Sequence, residues 1–235
     1  MLEAVLFDWG DTLMRWEFDL PLLEAGHRAG LEAIGLEPVP ALTERFRDGY
    51  LPGLWAPGML EEIEYPALVR ELLGEFSIEV DDEALERFLD AEHRAWAPAR
   101  QLGATTHALL ETLRERGYKL ALVSNAADPP ALLHRDLAEF GVAERLDAAV
   151  FSSEVGFRKP HAVIFERALE LLGVEPGAAL MVGDRLVEDV GGAAALGIGT
   201  CQALWFRAEE DDSGPEPGFR AFTQMDVLTA VKRLP

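Results

Sequence analysis

The feature that most limits the fold of this chain is a short apolar run near its N-terminus, Ala4–Phe7. A continuous run of this length is typical of a strand buried on both faces of a parallel sheet. Asp8, Gly10, Asp11 and Thr12 follow it directly. Because ligands of open α/β sheets bind beyond the carboxyl ends of the strands, these residues lie where a site would form. A turn or a helix cap uses the same residue types, so this stretch alone leaves both interpretations open.

The chain after this strand falls into two differently patterned parts. Residues 15–98 contain no strand-like apolar run, but their apolar positions recur at helical spacing. The helices predicted there span 20–34, 41–50, 61–75 and 82–96. From residue 105 onwards, strands at 118–123, 148–152, 179–182 and 198–205 alternate with helices at 105–116, 129–140, 162–172, 188–196 and 224–233.

Such alternation predicts an α/β fold, a three-layer Rossmann-like parallel sheet with helices on both faces. The first strand must join this sheet although the helical block separates it from the other strands. We therefore expect a core domain built from residues 1–14 and 99–235, with residues 15–98 inserted as an all-helical cap over the strand ends.

Polar residues follow several of the predicted strands. Ser124 and Asn125 end the second strand, Asp184 follows the fourth, and Lys159 lies in the loop after the third. Each residue alone is more simply a cap, a turn or a solvated cation. Together with Asp8, they put carboxylates, small hydrogen-bond donors and one lysine at a single sheet edge, which favours a functional site.

The composition limits the partners of the chain. The formal net charge of −21 argues against nucleic acid and against an anionic membrane surface, since both need clustered basic residues. Cys201 is the single cysteine, which excludes an intrachain disulfide and a cysteine metal site. No signal peptide or membrane-spanning run is evident, so we expect a soluble cytoplasmic protein, monomer or homodimer. A small anionic substrate would have to meet a locally positive site, since the overall charge repels anions.

These residues carry a resemblance to a known family. The chain resembles, over essentially its whole length, the haloacid dehalogenase-like (HAD) hydrolase superfamily with a helical cap inserted after the first motif. The first motif, hydrophobic-Asp-x-Asp-x-Thr, is matched from Leu6 to Leu13, and the second by Ser124-Asn125. Lys159 matches the third motif, and the Gly-Asp followed five residues later by Asp189 matches the fourth.

The resemblance implies a role for each matching residue. Asp8 would be the nucleophile, Lys159 a fixed positive charge, and Ser124 a ligand of the transferring group. Mg²⁺ would be held by Asp8, Asp184 and the backbone carbonyl at Gly10, with Asp189 in the outer shell or bound through water. The candidate catalytic residues are Asp8, Asp11, Thr12, Ser124, Asn125 and Lys159.

The first motif departs from the family at one position. Phosphatases of the family carry a second aspartate, the general acid and base, two residues after the nucleophile, where this chain has Gly10. Loss of a general acid typically costs on the order of 10²- to 10⁴-fold in rate. Asp11 stands one residue later, where the family usually has glycine. It is a candidate substitute, although a shift of one residue normally redirects a side chain.

Three functions remain open on the sequence. The intact fourth motif favours a Mg²⁺-dependent phosphatase acting on a small phosphate ester. Gly10 is also compatible with a metal-independent 2-haloacid dehalogenase, with Arg45 or Arg47 binding the substrate carboxylate, or with a weakly active binding module. Phosphonoacetaldehyde hydrolases have a similar first motif but need a cap lysine, and residues 14–97 contain none.

The cap itself is less informative. Trp16, Tyr50 and Trp55 are candidate pocket residues, although aromatic residues at helical spacing usually belong to the core. His161 follows the third motif closely enough to lie near the site. The remaining histidines fit no metal-binding spacing and are expected to pack or to face solvent.

Overall fold

The structure, a computed structural model, describes residues 1–54, 56, 58–207 and 213–233. Its strands are β1 (Ala4–Phe7), β2 (Met14–Trp16), β3 (Arg100–Leu102), β4 (Lys119–Ser124), β5 (Ala148–Phe151), β6 (Ala179–Gly183), β7 (Gly199–Ala203) and β8 (Phe219–Ala221). Six of them form a parallel sheet in the order β5-β4-β1-β6-β7-β8. The N-terminal strand is therefore central, as its fully apolar sequence predicts.

Helices cover both faces of this sheet. The helices of this part are α6 (Thr106–Glu115), α7 (Pro130–Glu139), α8 (Ser152–Val155), α9 (Ala162–Leu172), α10 (Gly192–Ala195) and α11 (Val227–Arg233). On one face, Val5 and Phe7 pack in a cluster with α6, α7 and α11. On the other face, Ala4 and Leu6 pack in a second cluster with α9 and α10. Alternate residues of β1 thus enter two cores, and the predicted three-layer α/β fold is confirmed.

Between β2 and β3 the chain forms a separate helical block. Its helices are α1 (Leu20–Ala33), α2 (Pro40–Gly49), α3 (Leu51–Leu54), α4 (Tyr65–Glu75) and α5 (Asp82–Ala95). They enclose a hydrophobic cluster of their own. Helices α1 and α5 approach closely at Gly30, where an added Cβ would lie 2.7 Å from the ring of Phe88. The glycine spacing in α1 therefore serves helix packing.

A two-stranded antiparallel ribbon joins the helical block to the sheet. Strands β2 and β3 pair in the register Met14 with Leu102 and Trp16 with Arg100. The chain enters the helical block through β2 and leaves it through β3. The pairing of these strands therefore holds the two connecting segments side by side. Within the described residues, no helix combines the length and the apolar character needed to cross a lipid bilayer.

Some predicted elements need correction. The helix predicted at 61–75 begins at Tyr65, because Pro66 favours the first helical turn. The helix predicted at 188–196 is a π-helical turn, Leu186–Gly191, followed by the short α10. The ribbon strands β2 and β3, the edge strand β8 and the short helices α3 and α8 are not anticipated by the apolar pattern.

Candidate active site

Three strand ends meet at one edge of the sheet. Strand β1 lies between β4 and β6, and the Asp8 amide continues the ladder by donating to the Val182 carbonyl at 2.9 Å. Ser124 is the last residue of β4, and Asp184 directly follows β6. The side chains of Asp8, Ser124 and Asp184 are buried. Neighbouring parallel strands therefore deliver these three polar groups to one place, as the sequence predicts.

Lys159 connects this edge to the loop between α8 and α9. Its Nζ lies 2.6 Å from Asp8 Oδ1 and 2.6 Å from Asp189 Oδ1. The same Nζ donates to the Val123 carbonyl at 2.8 Å. With a residue exposure of 3%, the ammonium is held almost entirely by protein groups. Its position is consequently fixed by hydrogen bonds to Asp8 and Val123 and by the ion pair with Asp189, rather than by solvent.

Asn125 holds the backbone on both sides of the lysine side chain. Its Oδ1 accepts from the Lys159 amide at 2.7 Å, and its Nδ2 donates to the Lys159 carbonyl at 3.1 Å. This paired contact uses both halves of the amide, which an ionised carboxylate could not reproduce because it only accepts. Asn125 therefore fixes the loop that carries Lys159.

Asp8, Asp184 and Asp189 form a compact carboxylate cluster. One oxygen from each lies within 4.8 Å of the other two, and all three residues are buried. Three buried carboxylates at this distance repel one another unless cations lie among them. Hard carboxylate oxygens are the ligands that divalent cations such as Mg²⁺ and Ca²⁺ prefer. The cluster could hold a metal ion.

The end of β6 is shaped to admit Asp189. A Cβ added at Gly183 would lie 2.3 Å from Asp189 Cγ, so only glycine leaves room for this carboxylate. The Arg185 amide donates to Asp189 Oδ2 at 2.9 Å. The π-helical turn Leu186–Gly191 sets this geometry, and π turns of this kind are frequent at functional sites.

Burial and mutual repulsion change the protonation of the cluster. Burial raises the pKa of Asp8 to about 6, and the Asp189 charge adds to this while Lys159 opposes it. Burial, together with the charges of Asp8 and Asp189, raises the pKa of Asp184 to about 8, against the opposing effect of Arg207. For Lys159, burial opposes the charge, but Asp189 and Asp8 outweigh it and raise its pKa above the ordinary value. The buried carboxyl groups of Asp8 and Asp184 thus hold protons more readily than exposed aspartates do, beside one fixed ammonium.

In the turn after β1, Gly10 and Asp11 line the cavity, whereas Thr12 does not. Asp11 adopts a left-handed backbone conformation with φ of 55°. Its Oδ1 accepts from the Trp16 amide at 3.2 Å, and the residue lines the same cavity as Asp8. The Thr12 hydroxyl is buried without a hydrogen-bond partner among the residues that the structure describes, while the Thr12 carbonyl accepts from Trp205 Nε1 at 2.8 Å. Thr12 therefore anchors the turn through its backbone.

A cavity of about 620 Å³ extends from the carboxylate cluster to the helical block. Trp16, Phe18 and Trp96 form an aromatic wall, with the rings of Trp16 and Trp96 stacked at 6.0 Å between centroids. Polar groups from both parts of the chain also line it, among them His93 and Asp128. The volume accommodates a small organic molecule next to Asp8.

Three of the suggested cap residues do not line this cavity. Arg45 binds Glu75 through Nε at 2.6 Å, and Arg47 binds Asp48 at 2.7 Å. Both arginines are substantially exposed, and their partners belong to the same helical block. The Tyr50 hydroxyl donates to Glu75 at 2.7 Å. Trp16 is the suggested pocket residue that the structure places in the cavity wall.

Two further predictions concern His161 and Trp55. The ring of His161 stacks on Phe157 at 4.2 Å between centroids. Its Nδ1 accepts from the Val163 amide at 3.3 Å, which caps α9. His161 thus has a local structural role in the loop of Lys159. Trp55 lies outside the described residues.

The structure also brings in groups that the sequence does not point to. Arg207, in the segment after β7, donates through Nη1 to Asp184 Oδ2 at a distance of 2.8 Å. His93 of α5 reaches across to Asp128 at 2.7 Å and to Asp136 at 3.0 Å. One arginine or histidine outside a motif carries no distinguishing pattern, and these pairs join residues far apart in the chain.

Comparison with known proteins agrees with this architecture. The family model of haloacid dehalogenase-like hydrolases matches residues 2–197. The chain therefore belongs to this family and is a hydrolase. The predicted family and the predicted enzyme class are confirmed.

Individual relatives cover nearly the whole chain. A phosphoserine phosphatase from Thermus thermophilus is 29% identical over 242 aligned residues, covering 92% of this chain and 94% of the relative. A glyceraldehyde 3-phosphate phosphatase from Methanopyrus kandleri is 28% identical, covering 100% and 99% respectively. Among solved structures, a HAD phosphatase from Thermococcus onnurineus superposes with a TM-score of 0.67 at 26% identity over 98% of both chains. A 2-haloacid dehalogenase from Pseudomonas syringae pv. Tomato, at 21% identity, covers 100% of both chains with a TM-score of 0.68 and shares the fold.

Proposed function

We propose that this protein is a Mg²⁺-dependent phosphatase that hydrolyses a small phosphate ester through an aspartyl-phosphate intermediate at Asp8. The observation that carries the proposal is the carboxylate cluster of Asp8, Asp184 and Asp189 with the Lys159 ammonium 2.6 Å from Asp8. The phosphatase names of the relatives from Thermus thermophilus and Methanopyrus kandleri support it.

The proposed metal ligands are Asp8, Asp184 and the backbone carbonyl of Gly10, with Asp189 in the outer shell or bound through water. The buried clustering of hard oxygen donors supports this assignment. When bound, Mg²⁺ would neutralise the cluster and polarise an oxygen of the phosphoryl group.

The protein groups divide the reaction into two displacements. An Asp8 carboxylate oxygen attacks phosphorus, and the bond to the ester oxygen breaks. Lys159 remains paired with Asp8 and balances the charge that collects there, while the Ser124 hydroxyl donates to a phosphoryl oxygen. Water then attacks phosphorus, releasing phosphate and restoring Asp8.

Asp11 is the proposed general acid and base. In the first step it would give its proton to the departing ester oxygen, and in the second it would take a proton from the attacking water. Burial raises the pKa of Asp11 above its ordinary value, which favours carrying a proton. The hydrogen bond from the Trp16 amide fixes one carboxyl oxygen and therefore limits the rotation of the side chain.

Residues 1–14 and 99–235 would form the catalytic core, and residues 15–98 a cap over it. The separate hydrophobic cluster of the helical block and the β2–β3 ribbon support this division. The cavity between the two parts would receive the alcohol portion of the ester.

The dehalogenase alternative keeps the support of Gly10 but loses that of the suggested cap arginines. A haloacid dehalogenase needs a cation for the substrate carboxylate, and the arginines suggested for that role are paired with Glu75 and Asp48 away from the cavity wall. No second function is favoured by a specific observation.

A combined release assay tests the proposal. The purified protein is incubated with a panel of phosphate esters and with 2-chloropropionate, with Mg²⁺ or with EDTA, and phosphate and halide are measured. We expect phosphate release that needs Mg²⁺ and is lost in Asp8→Asn. The matched control is Asp19→Asn, an exposed aspartate whose side chain makes no capping hydrogen bond. Phosphate release that survives EDTA or Asp8→Asn, or halide release in its place, would contradict the proposal.

A further inference from the structure

A second attachment joins the helical block to the sheet, directly before the catalytic lysine. Glu61 of the helical block forms an isolated antiparallel bridge with Phe157. The Glu62 amide donates to the Gly156 carbonyl at 2.9 Å, and the Arg158 amide donates to the Leu60 carbonyl at 2.8 Å. The backbone of the three residues before Lys159 is therefore held by the helical block as well as by its own loop.

The side chain of Glu62 completes this attachment. Only 2% of it is exposed, although it belongs to the loop that precedes α4 in the helical block. Its Oε2 accepts from the Ser152 hydroxyl, and its Oε1 accepts from the Ile63 amide at 2.8 Å. Arg158 Nη1 lies 3.4 Å from the same Oε1 and also donates to the Leu54 carbonyl at 2.9 Å. A buried carboxylate that loses such partners is strongly disfavoured, so this contact favours one docked arrangement.

Hydrogen bonds continue from Glu62 to the catalytic groups. Ser152 Oγ accepts from the Ala126 amide at 2.8 Å, next to Asn125. Asn125 in turn brackets the Lys159 backbone at 2.7 and 3.1 Å. Through Ser152 on one side and Arg158 on the other, Glu62 therefore contacts both segments that fix Lys159.

We propose that Glu62 is a positioning residue that couples docking of the helical block to the placement of Lys159 beside Asp8. When Glu62 is docked, the segments at 125–126 and 156–158 are held and the ammonium stays between its acceptors. When Glu62 is removed, Lys159 gains access to solvent and its Nζ spends less time on Asp8. The effect on rate rests on the proposed phosphatase function, whereas the effect on Lys159 does not.

Lysine labelling measures this coupling without any need for activity. The chain has three lysines, Lys119, Lys159 and Lys232, so peptide mass spectrometry after brief treatment with an acylating reagent assigns each one. Lys119 and Lys232 are exposed and serve as internal standards. We expect Glu62→Ala to raise the labelling rate of Lys159 by about tenfold, the scale expected for one charge-assisted hydrogen bond, with the standards unchanged.

The matched control is Glu61→Ala, which removes an exposed carboxylate one residue away and keeps the backbone bridge. This control should label Lys159 at the wild-type rate. Labelling is done well below the unfolding temperature measured for each variant. Equal labelling of Lys159 in wild type and Glu62→Ala, or an equal rise in Glu61→Ala, would overturn the proposal.

The milder variants Glu62→Gln and Ser152→Ala keep the test informative if Glu62→Ala does not fold. We expect each variant to lower kcat with little change in KM. The double variant should lower kcat no further than the more affected single variant, because both substitutions break the same hydrogen bond between Glu62 and Ser152. Losses that multiply in the double variant would show independent effects and contradict the coupling. Absence of phosphate release in the wild type would defeat the proposed function, and Lys159 labelling would still decide the role of Glu62.

Discussion

Gly10 and Asp11 stand in the reverse of the order that the family's first motif usually has. Asp11 accordingly takes the left-handed conformation, with φ of 55°, that a glycine adopts at low cost. Aspartate tolerates this region better than most residues, because its short side chain can bond locally, here to the Trp16 amide. The exchange is therefore sterically possible, and the carboxyl group remains in the cavity.

Substitution of Asp11 tests its role as general acid. We expect Asp11→Asn to lower kcat/KM, which reports the first displacement, by about 10²- to 10⁴-fold on an alkyl phosphate, because the departing alkoxide then lacks a proton donor. The loss should be much smaller on 4-nitrophenyl phosphate, whose leaving group needs no proton. The exchange variant Gly10→Asp with Asp11→Gly restores the usual order and should retain activity. Equal losses on both substrates would argue against proton transfer by Asp11.

The buried carboxyl group of Glu92 should make the folded protein less stable as the pH rises. Burial raises its pKa to about 8, partly offset by the hydrogen bond from the Tyr65 hydroxyl. Above pH 4.5 the unfolded chain releases this proton while the folded chain keeps it until about pH 8, so stability falls as the pH rises. The neighbouring His27, whose pKa burial lowers to about 4, has the opposite effect below pH 6.5. The window from pH 6.5 to 8 therefore isolates Glu92 from His27.

Glu92→Gln should remove this penalty. We expect the unfolding free energy of the variant, relative to that of the wild type, to increase by about 1.4 kcal/mol per pH unit across that window. Denaturant unfolding at several pH values measures the difference. The control is Glu86→Gln, at an exposed position on the same helix, which should show no such trend. A constant difference between Glu92→Gln and the wild type would show that Glu92 does not hold its proton.

At the scale of elements, the end of β6 depends on the absence of a side chain. Gly183→Ala places a Cβ 2.3 Å from Asp189 Cγ, so Asp189 must move away from Lys159. We expect a stability loss of about 1–3 kcal/mol and weaker Mg²⁺ binding, measured by denaturant unfolding and by titration calorimetry. Gly177→Ala, near the opposite end of β6, meets no atom within 4 Å and is the matched control. Unchanged Mg²⁺ binding in Gly183→Ala would contradict the assignment of Asp189.

Whether the sequence predicts an element depends on how that element is buried. Strands β1 and β6 are buried along their whole length, and β4 is buried after the exposed Lys119, so each contains a continuous apolar run. The ribbon is different, because β2 and β3 are three residues long, partly exposed, and paired across the whole helical block. Pairing between such distant short segments leaves no local pattern in the sequence. The π-helical turn Leu186–Gly191 has the apolar spacing of an ordinary helix, so the sequence pattern predicts an α-helix there.

The same reasoning separates the site residues that motifs predict from those that only the fold brings together. Asp8, Ser124, Lys159 and Asp184 follow strands or stand in a motif, so their convergence at one sheet edge can be predicted. Glu62 is one of 42 acidic residues, and its place is set by a loop docking against the sheet.

At the scale of the whole molecule, the cavity beside the helical block belongs to a strongly acidic protein. With a formal net charge of −21, the protein repels an anionic substrate at long range. Binding must therefore depend on groups within the cavity, above all Lys159, and on any metal ion held by the carboxylate cluster. The ribbon and the Glu62 contact both attach the helical block beside this cavity.

The most direct test of the central claim is to trap the covalent intermediate. The protein is mixed with a phosphate ester and Mg²⁺, quenched in acid within one turnover, and analysed by peptide mass spectrometry. We predict the mass of one phosphoryl group on the peptide that contains Asp8, and its absence in Asp8→Asn. Phosphate release with no phosphoryl group on Asp8 at any quench time, or with the group on another residue, would contradict the account.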